Sequence, residues 1–238
     1  MRFLVIMSIC MIAVTTPIAW HIYSCEISLK NIYAISDCFL FQWNLRNEYD
    51  NTPLKNLPAH SEGKLVVLEK LNPRTFCEVI ELFKNPSCSD FFFMQRNSTQ
   101  VYEYDYIELL YEEYFMQLFG KMITYTVQDK STKRIAGIIH IRDEIDETTN
   151  KRVFILGGLA TPSVWGKGLS QETMKLLSTL FFQSTTSCEL TAETSPYNGR
   201  CSGYLLKCGF TYSHTTHDNQ LSFKLSKQNY EKILSLKK

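Results

Sequence analysis

The chain has 238 residues, 45% of them apolar and 21% charged, and 25 basic against 24 acidic side chains leave a formal charge of +1. So even a balance lacks the basic excess with which proteins meet a phosphate backbone, and no nucleic-acid partner is expected. The length suits one substantial core, or a domain with appendages.

The N-terminus differs from the rest. Arg2 precedes the apolar run Phe3 to Val14, and the 21 residues from Phe3 to Tyr23 carry no formal charge, about enough to cross a bilayer. A membrane anchor with the following domain on the cytoplasmic side is the preferred reading. A cleaved signal on an exported protein and an extension on a wholly cytoplasmic enzyme are the alternatives. Residues 1–25 are therefore set apart as a hydrophobic segment. Residues 26–63 follow as an extension and linker, rich in Asn and Pro towards their end, with a boundary near Gly63.

A domain over 64–238 is then expected. Lys64 to Leu68 suggests a strand. Asn72-Pro73 opens a helix on which Phe76, Val79, Ile80 and Phe83 share a face, and Asn85-Pro86 ends it. A second helix is predicted from about Asp105 to Phe119, with Ile107, Leu110, Tyr114 and Leu118 inward and Glu108, Glu112 and Glu113 outward. Met122–Val127 and Ile135–Ile141 form a hairpin, Arg142–Lys151 a polar loop, and Val153–Ala160 a third strand. A helix over 168–183, a strand at Cys188–Ala192, a helix over Gly199–Lys207 and strands at Phe210–Ser213 and Leu221–Leu225 complete the order. The fold class is α/β (α+β): a mixed, mostly antiparallel sheet flanked by helices.

The eight cysteines (10, 25, 38, 77, 88, 188, 201 and 208) include no C-x-x-C pair, and the histidines do not complete a zinc pattern beside them. They read as thiols rather than as a disulfide framework, and no metal is expected.

Chemistry concentrates at Trp165-Gly166-Lys167-Gly168-Leu169-Ser170, a turn between a strand and a helix. Glycines let the backbone approach a ligand, and successive N–H groups with the positive end of a helix surround phosphate. Lys167 adds a charge. A Walker A loop is excluded because Leu169-Ser170 follows Gly168, and a dinucleotide fingerprint because Gln171 stands at the third glycine position. A simple loop that uses glycines for helix entry remains the alternative.

The segment Val164 to Glu172 resembles the cofactor motif of the GNAT acetyltransferases. It is most similar to the branch of ribosomal-protein-alanine N-acetyltransferases, in which a tryptophan often precedes G-K-G. Asn198-x-x-Cys201 to Lys207-Cys208-Gly209-Phe210 resembles that branch's N-x-x-S and E-K-x-G-F, with Cys201 in place of serine and Leu206 in place of glutamate. The resemblance covers about 64–226. It implies the acyl-CoA N-acyltransferase fold, with acetyl-CoA as co-substrate between Val153–Ala160 and Cys188–Ala192. Leu159, Ala160, Trp165, Gly166, Lys167, Gly168, Leu169, Ser170 and Asn198 would bind it. A bulge at Gly157-Gly158 would free an N–H near Leu159 to polarise the thioester; packing glycines are the alternative.

The implied reaction is direct attack by a primary amine (a protein N-terminus, a polyamine or a small molecule) without a nucleophilic side chain. Cys201 is the first candidate proton donor, ahead of Tyr204 and Ser202, and Glu193 is a candidate base. Asn198 also reads as a helix cap, Glu193 as a solvated strand end, and His140 as a satisfied sheet histidine. Tyr102, Tyr104, Tyr106 and Tyr111, with Glu103, Asp105 and Glu108, would either admit a cationic amine or form a packing layer. The competing function is a weak or inactive module that binds CoA or a protein partner. Oligomeric state is not legible.

Overall fold

In the computed structural model the described residues are 53–85, 87–88, 103–146 and 150–235, with only the backbone of 103–105, 107 and 108. Residues 1–25, the extension to 52, Pro86 and Tyr102 lie outside them.

Eight strands form one sheet in the spatial order β1-β2-β3-β4-β5-β6-β8-β7. They are β1 His60–Glu62, β2 Val66–Lys70, β3 Met122–Asp129, β4 Ile135–Asp146, β5 Lys151–Ala160, β6 Glu189–Thr194, β7 Thr211–Thr215 and β8 Leu221–Ser226. Between them run α1 Phe76–Phe83, α2 Glu103–Leu118, α3 Leu169–Ser184 and α4 Gly199–Lys207, and α5 Lys227–Ser235 closes the described chain. All neighbours are antiparallel except β5 and β6. The β-branched and aromatic content of β3 and β4 suits strands covered on both faces, and both are buried over most of their length.

On one face, Leu156, Ala192 and Phe223 pack with Leu177 and Phe181 of α3, Leu205 of α4 and Tyr230 of α5. On the other, α1 and α2 bury Phe76, Val79, Phe83, Leu110 and Phe115 over Ile138. Side chains that alternate across a strand serve both cores, which is why β4 contributes Ile139 and Ile141 to the first and Ile138 to the second.

Several expectations change. Residues 53–62, expected as the end of a linker, belong to the fold: Leu54 and Leu57 are 1% and 2% exposed, and β1 pairs with β2. The strand expected from Lys64 begins at Val66. The polar loop expected after Ile141 is mostly strand, because Asp143, 4% exposed, accepts two bonds from Arg152 at 2.7 and 2.6 Å across the β4–β5 hairpin. On α2 the buried face is turned from the one expected. Leu118 is 52% exposed, whereas Glu113, expected outward, is 3% exposed and accepts from Thr124 Oγ1 at 2.9 Å.

The expected transmembrane helix is not met. Among the described residues no helix is long and apolar enough to cross a membrane. The longest, α2 and α3, have 16 residues, about 24 Å against a hydrocarbon core of about 30 Å. The expected membrane association and membrane-anchored location are therefore withdrawn, and residues 3–23, on which they rested, lie outside the described chain. Among the cysteines, Cys88, Cys188, Cys201 and Cys208 are free thiols, whereas Cys77 is disulfide-bonded. The reading as thiols thus departs at Cys77. Among the described residues no cluster of His, Cys, Asp and Glu is grouped to hold a metal ion.

Candidate active site

β5 and β6 are in parallel register only at Ile155↔Thr191 and Leu156↔Ala192. Beyond that vertex β5 stays with β4 to Ala160, while β6 stays with β8 through Glu193↔Ser222 and Thr194↔Leu221. Each strand satisfies its backbone on its outer neighbour, so the inner edges diverge into a V-shaped opening.

The edge of β5 differs from the expected bulge. Its register with β4 is unbroken from Lys151 to Ala160. Thr161 donates its N–H to Ala136 O at 2.8 Å. Counting back in alternation, Leu159 faces β4, while Gly158 and Ala160 turn their N–H groups to the opening. Gly158 has φ +154°, and a Cβ there would lie 2.5 Å from Ile138 O. The glycine allows a close approach between strands.

After β5 the chain makes a short 3₁₀ turn, Pro162–Val164, and enters α3 through Gly166 at φ +75° and Gly168 at φ +83°. The first helix bond inward is Glu172 N–H to Gly168 O at 3.0 Å, and no side chain caps the helix. The N–H groups of Gly166, Gly168, Leu169, Ser170 and Gln171 therefore have no partner among the described residues. Successive unpartnered donors at a helix's positive end fit an anionic phosphate. A Cβ on Gly166 would meet nothing within 4 Å, and one on Gly168 only Leu65 Cδ1 at 3.8 Å, so these glycines serve backbone conformation.

Side chains brace the turn. The Trp165 indole donates to Ala160 O at 3.0 Å, locking the end of β5, and the Arg200 guanidinium lies 4.0 Å from the centre of a Trp165 ring. Lys167 is exposed on the same turn. The Glu172 carboxylate accepts the backbone N–H groups of Lys64 and Leu65, tying the start of β2 to α3. Sequence reasoning passed over Arg200 and the bracing by Glu172, because both depend on partners far along the chain.

The second motif folds onto the first. Asn198 caps α4, its Oδ1 accepting from Cys201 N–H at 3.0 Å. The Tyr204 hydroxyl donates to Ser170 O at 2.7 Å, joining α4 to the first turn of α3, and burial holds that phenol well above its usual range. The Cys201 thiol is raised by burial, opposed by a hydrogen bond with Thr194. Thr194 lies two residues past Ala192, beyond the point where β6 leaves β5. The Ser202 hydroxyl turns back to Asn198 O at 3.4 Å.

Glu193 projects on the opposite face. Burial raises its carboxyl, an effect opposed by Arg142 and reinforced by Glu144. Of the aromatic candidates, Tyr106 stacks on Phe83 at 5.3 Å and Tyr111 meets Phe76 edge-on at 4.9 Å. Both belong to the packing layer. Tyr102 and the side chains of Glu103, Tyr104, Asp105 and Glu108 lie outside the described residues.

The acetyltransferase (GNAT) domain family matches residues 66–211. No curated relative matches the chain. Among solved structures, AAC(6')-Ib in complex with ribostamycin and coenzyme A is 17% identical, with a TM-score of 0.57 over 71% of this chain and 97% of that one. Spermidine N-acetyltransferase from Vibrio cholerae, in complex with CoA and spermine, is 15% identical, with a TM-score of 0.57 over 71% and 99%. The microcin C7 self immunity acetyltransferase MccE, in complex with acetyl-CoA and AMP, is 13% identical, with a TM-score of 0.57 over 73% and 99%. Identities this low carry the fold alone, and none of these likenesses singles out the ribosomal-protein-alanine branch. The family match spans more than half of the chain, joins the glycine turn to Asn198–Phe210, and agrees with the V-shaped opening. The chain belongs to the GNAT acetyltransferase family and is an acetyl-CoA-dependent acetyltransferase.

Proposed function

We propose that the chain transfers an acetyl group to a primary amine by direct attack, with no covalent intermediate on the protein. The observation that carries this reading is the V-shaped opening, with backbone donors along one edge and a phosphate-type cradle at its end. Gly166, Gly168, Leu169, Ser170 and Gln171 hold the pyrophosphate through backbone N–H groups and the helix dipole, and the Lys167 side chain adds a positive charge. Gly158 and Ala160 present N–H groups to the pantetheine arm and the thioester carbonyl. Acetyl-CoA supplies the acetyl group as a thioester.

The protein's remaining tasks are to stabilise the oxyanion and to return a proton to the departing sulfur. Backbone N–H groups of β5 serve the first. Cys201 serves the second: its raised thiol stays protonated at neutral pH and sits beside Thr194, beyond the point where β6 leaves β5. Tyr204 braces the cradle, its proton being committed to Ser170 O. Asn198 places Cys201 by capping its helix. Glu193 lies on the acceptor side and attracts a cationic amine. The motif pairing with the ribosomal-protein-alanine branch makes a protein N-terminus the first acceptor class to try, followed by polyamines and small amines.

The test is calorimetric titration with acetyl-CoA, followed by release of free CoA across those three amine classes. Binding with acceptor-dependent release is the expected outcome. Absence of binding would sink the reading. Binding without release would favour a CoA-binding module, the alternative motivated by Cys201 and Leu206 in the places of serine and glutamate.

A further inference from the structure

β4 carries His140, which is 8% exposed, on the face covered by α2. Glu113 of α2, 3% exposed, brings Oε1 to 3.5 Å from His140 Nδ1, and its other oxygen accepts from Thr124 Oγ1. A carboxylate this deeply buried needs partners: it accepts one hydrogen bond, from the Thr124 hydroxyl, and has the His140 imidazole 3.5 Å away. With the carboxylate nearest Nδ1, a ring proton held on that side leaves the lone pair on Nε2.

The two ring nitrogens have different surroundings. Nδ1 is closed off from solvent and, at 3.5 Å from Oε1, makes no aligned hydrogen bond. Nε2 is not among the sealed, unpartnered atoms and has no hydrogen bond among the described residues, so it retains some exposure. It lies over Gly157, where a Cβ would sit 2.3 Å from it. Gly157 is the residue of β5 directly after Leu156, the last to pair with β6. The missing side chain at 157 thus brings the basic nitrogen to the vertex of the opening, on the face opposite Cys201.

We propose that His140, oriented by Glu113, is the general base that deprotonates the acceptor amine. This rests on the acetyl-transfer reading above. The ammonium form of the acceptor gives one proton to Nε2, and the imidazolium is stabilised by Glu113. The free amine's nitrogen then bonds to the thioester carbon. As the carbon–sulfur bond breaks, Cys201 gives its proton to the sulfur, and the second nitrogen proton passes through solvent to reprotonate Cys201. His140 returns its proton to water, so one proton is released per turnover.

The test compares two acceptors on the full-length chain: an alkylamine, protonated at neutral pH, and an arylamine that carries no proton there. His140→Gln should lower kcat about 100-fold with the alkylamine. It should change the arylamine rate by less than about threefold, since no proton need be removed before attack. Glu113→Gln should give a loss of about tenfold with the same acceptor dependence. Acetyl-CoA affinity by calorimetry and the melting temperature should stay unchanged in whichever variant supports the proposal. In a second readout, the alkylamine should shift the NMR signal of the His140 ring carbon between its nitrogens in the wild-type chain.

Equal losses with both amines would make His140 a structural residue and overturn the proposal. Wild-type rates in both variants would overturn it and leave acetyl transfer standing. A wild-type chain that binds acetyl-CoA but acetylates neither amine would overturn both readings.

Discussion

The two sides of the opening are built from different materials. On the side proposed for the cofactor, the groups are the unpartnered backbone N–H donors of Gly166 and Gly168 to Gln171 and the edge of β5, and side chains such as Trp165, Glu172 and Tyr204 brace them. On the opposite face the groups proposed for the acceptor are side chains, Glu113, His140 and Glu193, drawn from α2, β4 and β6. A backbone cradle constrains residue identity only where φ is positive, so it is robust and recurs with little sequence identity. A side-chain site depends on elements far apart in sequence, so it can change without disturbing the cradle. The cofactor is accordingly a family property, and the acceptor is particular to the chain.

That contrast can be broken by experiment. The largest effect should come from Gly168→Trp, which fills the approach to the cradle and strains a residue at φ +83°. The dissociation constant for acetyl-CoA should rise about 100-fold, or about 2.7 kcal/mol, with the circular dichroism spectrum retained. Unchanged affinity would detach the turn from the cofactor.

Next, Cys201→Ala should lower kcat about tenfold while cofactor affinity holds within about twofold, and Cys201→Ser should recover most of the rate. Equal turnover in Cys201→Ala would remove this thiol from the reaction.

A smaller effect sharpens the role of Asn198. Asn198→Ala removes the cap of α4 and should cost about 1 kcal/mol, read as a melting temperature lower by about 2–4 °C. A separate loss of cofactor affinity in that variant would add a ligand contact to the cap.

The smallest difference is kinetic and needs no mutation. Burial raises the Cys201 thiol, so its thiolate is scarce at neutral pH and grows only as pH climbs past the ordinary cysteine range. Exposed Cys188 should therefore be alkylated first by iodoacetamide, and acetyl-CoA should slow Cys201 alone. Mass-spectrometric site mapping reads both. Alkylation of Cys201 at the rate of Cys188 would contradict its burial.

How far the sequence reached follows the same division. Helix α4 was legible residue for residue, because Asn198 caps it and Gly209 ends it within one short window. Strands β2, β7 and β8 were legible to within about two residues, whereas β1 was read as linker. Helix α2 was legible in extent but not in orientation. Glu113 looks like a solvated residue until Thr124 and His140, brought beside it by β3 and β4, supply its partners. Likewise Gly157-Gly158 suggested a bulge. The long-range reasons for those glycines are the His140 ring over one and the Ile138 carbonyl beside the other.

By itself, the amino-acid sequence determined the order of elements from β2 to β8, the glycine turn and the capped helix that follows it, and the resemblance of those two motifs to the GNAT family implied the cofactor class. Each of these depends on residues within a few positions of one another. Only the tertiary structure decided where β5 and β6 part, which donors face the gap, that residues 53–62 belong to the core, and that a buried carboxylate stands behind His140. Those features are set by which strands satisfy one another's backbone across the sheet, and no local pattern encodes that choice.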